Sequence, residues 1–185
     1  MGAQMPLPRT PQSRRPNRCH RRLLEWQTSG VQSGEGIEEL IRRCNAHPDA
    51  FFAGEREESV VAAAEAALGY PLPAAYRTFV LRLGAGSVGS SEIYGVISEP
   101  FDGPIPDAVW STIKDRLPPS NLPDRMVVIG DDGMGGSYVL DTAEGNDPPV
   151  RVWNGGRSMA DDELQLIAPS FEAHLRAILE RVWRR

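Results

Sequence analysis

The chain has only two cysteines, Cys19 and Cys44, which excludes a disulfide framework. No run approaches the ~20 apolar residues needed to cross a bilayer. A secretory signal requires an apolar stretch of roughly 7–15 residues behind its positive charges. Here Leu23-Leu24 is followed at once by Glu25, so no such stretch is expected to act. Histidine is scarce: His20, His47 and His174 are the full set. No spacing among them assembles a nucleophile, a base and an orienting group, and there is no Gly-x-Ser-x-Gly elbow. The chain is therefore not read as an enzyme. No internal repeat or cofactor fingerprint is visible, and no cofactor is expected.

What is present divides unevenly. The length, 185 residues, suits one domain large enough to bury its own core. Residues 1–34 hold six arginines and one acid, Glu25, for a net of +5. The remaining residues hold 14 basic and 24 acidic side chains, a net of −10, which gives the overall −5. Pro6, Pro8, Pro11 and Pro16 break any helix in the first segment, and its few large apolar residues cannot offset the entropy of ordering. Residues 1–34 are read as a basic, disordered tail and 35–185 as a single domain. An acidic body of this kind argues against nucleic acid as a partner and favours a basic protein. No membrane partner is expected, and the protein is placed in the cytoplasm.

The domain begins with helical periodicity. Ile37, Leu40, Ile41 and Cys44 fall on one face, ended by Pro48. A second helix is predicted over 55–68, with a stripe of Val60, Ala64 and Leu68 and a stop at Gly69. A third opens at Pro73 and buries Tyr76, Phe79, Val80 and Leu83. The period then changes to two. Strands are predicted over 92–97, 125–129, 137–141 and 149–153. The strand 125–129, with its continuous apolar run 126–129, reads as a central strand. A short helix over 106–117 would bury Val109, Trp110 and Ile113. The chain closes with a helix from Phe171, capped by Ser170. Helices followed by hairpin-like strands indicate an α+β fold: a helical block, a central antiparallel-rich mixed sheet and a closing helix.

Three clusters carry candidate chemistry. Gly130-Asp131-Asp132-Gly133-Met134-Gly135-Gly136 places two carboxylates among glycines, where a divalent cation or a phosphorylated ligand could be held. Its spacing matches neither a calcium loop nor a phosphate loop, and it joins two strands, as a glycine-rich hairpin does. Cys19-His20 and Cys44-x-x-His47 contain zinc-ligand types, but Cys44 lies on an apolar face and reads as core. Asp161-Asp162-Glu163, together with Asp131 and Asp132, would form a negative patch for a basic partner if the chain brings them together. Trp153 is an aromatic candidate for the same surface, since interface hot spots favour tryptophan, with burial as its alternative.

The order of short motifs resembles a known family. Leu68-Gly69, Leu72-Pro73, Tyr76, Phe79 and Gly84-x-Gly86 are followed by Ile93-Tyr94-Gly95. Val128-Ile129-Gly130-Asp131-Asp132-Gly133, Tyr138-Val139-Leu140-Asp141, Pro149-Val150, Trp153 and Ser170-Phe171 complete the series. This is similar to the SUKH superfamily of Smi/Knr-type domains, over about residues 37–183. The resemblance implies an α+β fold with a closing helix. It also implies an immunity protein of a bacterial polymorphic toxin system, binding and blocking a cognate toxin domain, often a nuclease. The alternative it implies is a protein-interaction hub like the fungal relatives. A third reading, from the residues alone, is a metal- or phosphate-dependent enzyme using Asp131 and Asp132. The resemblance implies no catalytic residue.

Overall fold

The computed structural model describes residues 36–103, 106–159 and 163–183. The basic tail of residues 1–34 and the acids Asp161 and Asp162 lie outside the described residues. Helix α1 spans Ile37–Ala46, α2 Glu58–Leu68, α3 Ala74–Leu83, α4 Ala108–Arg116 and α5 Phe171–Trp183. Strands β1 (Ala50–Phe52), β2 (Gly86–Val88) and β3 (Ser91–Ile93) form one antiparallel sheet in that order. Strands β4 (Met126–Asp131), β5 (Ser137–Asp141), β6 (Val150–Trp153) and β7 (Gln165–Ala168) form a second antiparallel meander.

The fold is α+β, with the three predicted N-terminal helices and the closing helix in place. Their stripes explain why. In α1, Leu40, Ile41 and Cys44 are buried, and burial pushes the Cys44 thiol up to about 12, as befits a small core hydrophobe. Gly69 ends α2 in the left-handed region, at φ 91°, where a side chain would be strained. Tyr76, Phe79, Val80 and Leu83 of α3 are all buried, and the rings of Tyr76 and Phe79 meet Phe171 at the start of α5. The Ser170 hydroxyl accepts from the Ala173 amide at 3.0 Å, which caps α5.

Several expectations need correction. The strands fall into two sheets rather than one mixed sheet, and among the described residues the parallel pairing is a single bridge between Gly95 and Asp107. Strands β1, β2 and β7, of three or four residues each, escaped the sequence reading. In α2 the buried stripe is Val61, Ala64 and Leu68, one residue out of phase at its start. Pro73 sits at the N-cap of α3, not inside it. In α4 the buried residues are Ala108, Val109, Ser111 and Thr112, while Trp110 is half-buried and Ile113 is 42% exposed. A side chain–backbone bond explains the rotation. The Asp107 carboxylate accepts from the Trp110 amide at 2.7 Å, and Thr112 Oγ1 accepts from the Val128 amide at 2.9 Å, turning the polar face inward.

Strand β4 is buried along Met126–Gly130, yet it is an edge strand of its sheet. Its apolar run reflects cover rather than central position. Helix α4 packs on it. Its free side is bonded as well: the Tyr94 amide donates to the Ile129 carbonyl at 2.9 Å. A register shift between Val128 and Gly130 leaves Ile129 outside the β5 pairing and free to take that bond. The two sheets are joined at this point.

Candidate functional site

The glycine-rich segment is the tight connection between β4 and β5. Gly133 and Gly135 take φ values of 71° and 93°, so the turn requires glycine there. Its two carboxylates fold back onto the turn. Asp131 Oδ1 accepts from the Gly133 amide and Oδ2 from the Tyr94 hydroxyl, each at 2.8 Å. Asp132 Oδ1 accepts from the amides of Met134 and Gly136, both at 2.8 Å. Two of the four oxygens therefore organise the hairpin, which is what short Asp side chains beside glycines do, and a third ties it to Tyr94. Among the described residues, no group of three or more His, Cys, Asp or Glu side chains is placed to hold a metal ion. Met134 stands at the tip, 89% exposed.

Asp131 faces two clefts. One, of about 370 Å³, lies between the hairpin and α5 and is lined by Glu92, Asp131, Asp132, Tyr138, His174 and Arg181 with Ser90 and Ser91. The other, of about 270 Å³, lies against α4 and includes Tyr94, Trp110, Lys114, Asp115 and Ser137. In the second cleft the Lys114 ammonium sits over the Trp110 ring at 4.7 Å, and Ser137 Oγ donates to Asp115 Oδ2 at 2.8 Å. Tyr94 reaches the hairpin because β3 delivers it there. Burial, then its bond to Asp131, raises its phenol well above the ordinary range.

Asp131 and Asp132 are thus neighbours on an exposed turn. Glu163 is exposed but lines neither cleft. Trp153 is withdrawn as a surface anchor. It is 1% exposed, and its Nε1 donates to the carbonyl and hydroxyl of Ser120, both at 3.1 Å. Its indole belongs to the core with its one polar group satisfied, the alternative its strand position allowed.

Sequence reasoning missed Glu92, Tyr94, Asp115, Tyr138 and His174 as lining residues. For His174 a signal exists. It falls three residues after Phe171 and four before Ile178, on the buried stripe of α5, where a polar residue is unusual. Its ring packs edge-on against Tyr138 with centroids 5.2 Å apart. Burial, reinforced by the nearby Arg181 charge, lowers its pKa from 6.5 to about 4, so the ring is neutral at physiological pH. As pH falls, the unfolded chain takes up this proton first. The stability associated with the neutral ring is complete above about 6.5 and is lost as pH drops towards 4, to the extent of about 3 kcal/mol. We expect His174→Phe to lose less stability than wild type between neutral pH and about pH 4, as read from urea midpoints. An equal loss in both proteins would contradict this assignment.

The two antiparallel sheets, the N-terminal helices and the closing helix define an α+β interaction-sized domain with an acidic turn at the junction of its sheets. The model of the SMI1/KNR4 family (SUKH-1) matches residues 57–177, from the start of α2 to the middle of α5. The chain belongs to this family. No curated protein matches it. Among the described residues, no helix is long and apolar enough to cross a membrane.

Proposed function

We propose that this family member is a cytoplasmic, non-enzymatic immunity protein that binds a basic toxin domain and neutralises it. The observation that carries the reading is an exposed, preorganised acidic hairpin on a SMI1/KNR4 domain whose sequence beyond residue 34 has a net charge of −10. Nuclease domains present positive grooves to phosphates, and a carboxylate-bearing surface competes for those grooves. Charge of this kind also steers encounter. The hairpin adds an exposed apolar side chain, Met134, of the adaptable type used at protein-binding surfaces. Asp131, Asp132 and Glu163 are the described candidates for contact, with Asp161 and Asp162 continuing the acidic run in sequence.

Cells that express the C-terminal domain encoded by the adjacent gene are expected to regain growth when this protein is co-expressed. Unchanged toxicity would overturn the immunity reading and leave an interaction hub as the function of the domain.

A further inference from the structure

We propose that the cleft between the β4–β5 hairpin and α5 is a receptor for one basic side chain, arginine or lysine, of the protein partner, with His174 as a hydrogen-bond acceptor in its wall. This deepens the immunity reading and rests on it for the identity of the partner. The volume, about 370 Å³, is at the small end of ligand-sized clefts and suits a side chain rather than a polymer. Its lining carries three carboxylates, Glu92, Asp131 and Asp132, against one cation, Arg181. Asp131 has both oxygens engaged, but Asp132 Oδ2 and the exposed Glu92 carboxylate have no hydrogen bond or ion pair among the described residues.

His174 supplies an observation independent of the acids. The residue is 7% exposed, its ring packs against Tyr138 and lines the cleft, and no described residue hydrogen-bonds that ring. Burial keeps the ring neutral, so a ring nitrogen facing the cleft offers a lone pair to an incoming donor. The free groups of the cleft are thus mainly acceptors under net negative charge. An ammonium brings three donors and a guanidinium five. A donor-rich cation satisfies His174, Glu92 and Asp132 together, and charge-assisted bonds in a partly desolvated cleft are the stronger kind.

The test uses the full chain with isotope-labelled histidine and tyrosine, titrated in turn with the N-acetylated amides of arginine, lysine, norleucine and glutamate. The arginine and lysine probes should shift the His174 and Tyr138 ring signals saturably, and the norleucine and glutamate probes should not. Glu92→Gln should weaken the cationic probes at least threefold. His174→Phe, which keeps a ring against Tyr138 but removes the acceptor, should weaken them further, as read at Tyr138. No saturable shift, an equal response to norleucine, or insensitivity to Glu92→Gln would overturn the proposal. A response to glutamate would assign the cleft to an anion at Arg181 and equally overturn it. Should His174→Phe fail to fold, Glu92→Gln decides. Adding the toxin domain separates the two readings: toxin binding that leaves the His174 signals unmoved removes the cleft but not immunity, while cleft filling without toxin binding removes immunity alone.

Discussion

Replacing Phe79 with alanine is expected to cost about 3–5 kcal/mol of stability, the range for large-to-small changes in packed cores. Phe79 is fully buried on α3. Its ring stacks near Tyr76 at 6.3 Å and meets Phe52 of β1 and Phe171 of α5 edge-on at 6.0 and 5.5 Å. One side chain therefore ties a helix, the first sheet and the closing helix together. The loss is a large share of the ~5–15 kcal/mol typical of a domain. Phe51, its neighbour in sequence to Phe52, is 77% exposed, so Phe51→Ala should change stability by under ~0.5 kcal/mol. Urea unfolding of the two variants makes the comparison, and a loss below ~1 kcal/mol for Phe79→Ala would contradict this account of the core.

Gly95→Ala is expected to be comparably severe, for a different reason. A Cβ at position 95 would lie 1.8 Å from the Gly84 carbonyl oxygen, and backbone cannot step aside as a side-chain end can. The segment is pinned on both sides. The Val96 amide donates to the Gly84 carbonyl at 3.2 Å, the Gly95 amide donates to Pro106 at 3.0 Å, and the Gly95 carbonyl accepts from Ala108 at 2.7 Å. Overpacking usually costs about 1–3 kcal/mol, and a backbone clash should reach the top of that range or exceed it. Gly103, with nothing within 4 Å of an added Cβ, serves as the control and should tolerate alanine. Unfolding midpoints should fall sharply for Gly95→Ala and barely for Gly103→Ala; equal midpoints would contradict the close approach.

These two positions show what the sequence made legible. Phe79 announced itself because helical periodicity marks a buried stripe, and the motif order around it pointed to the family. Gly95 stood inside an Ile-Tyr-Gly motif, where glycine suggests a turn. Only the fold reveals that it permits two backbone segments to touch. The hairpin at 130–136 was readable from its glycines, and so was the presence of its carboxylates. Their partners were not, because the Tyr94 hydroxyl comes from just beyond β3, 37 residues away in sequence. The α4 face was misread for a related reason: Thr112 is buried to serve the β4 edge, a long-range need that overrides the apolar count and leaves Ile113 outside. Trp153, for which burial was the alternative reading, lies in the core, and an aromatic residue on a strand carries no mark that distinguishes core from contact surface.

Binding kinetics across ionic strength test most directly the proposal that this acidic domain captures a basic toxin domain through charge. The Debye length falls from ~10 Å at 0.1 M salt to ~3 Å at 1 M, so steering between exposed charges should fade over that range. With the C-terminal domain encoded by the adjacent gene as the proposed partner, the association rate is predicted to fall as salt rises. If these charges sit on the rim of the interface, neutralising Asp161, Asp162 and Glu163 together should lower the association rate more than it raises the dissociation rate. Association rates that neither respond to salt nor change on neutralisation would contradict the claim.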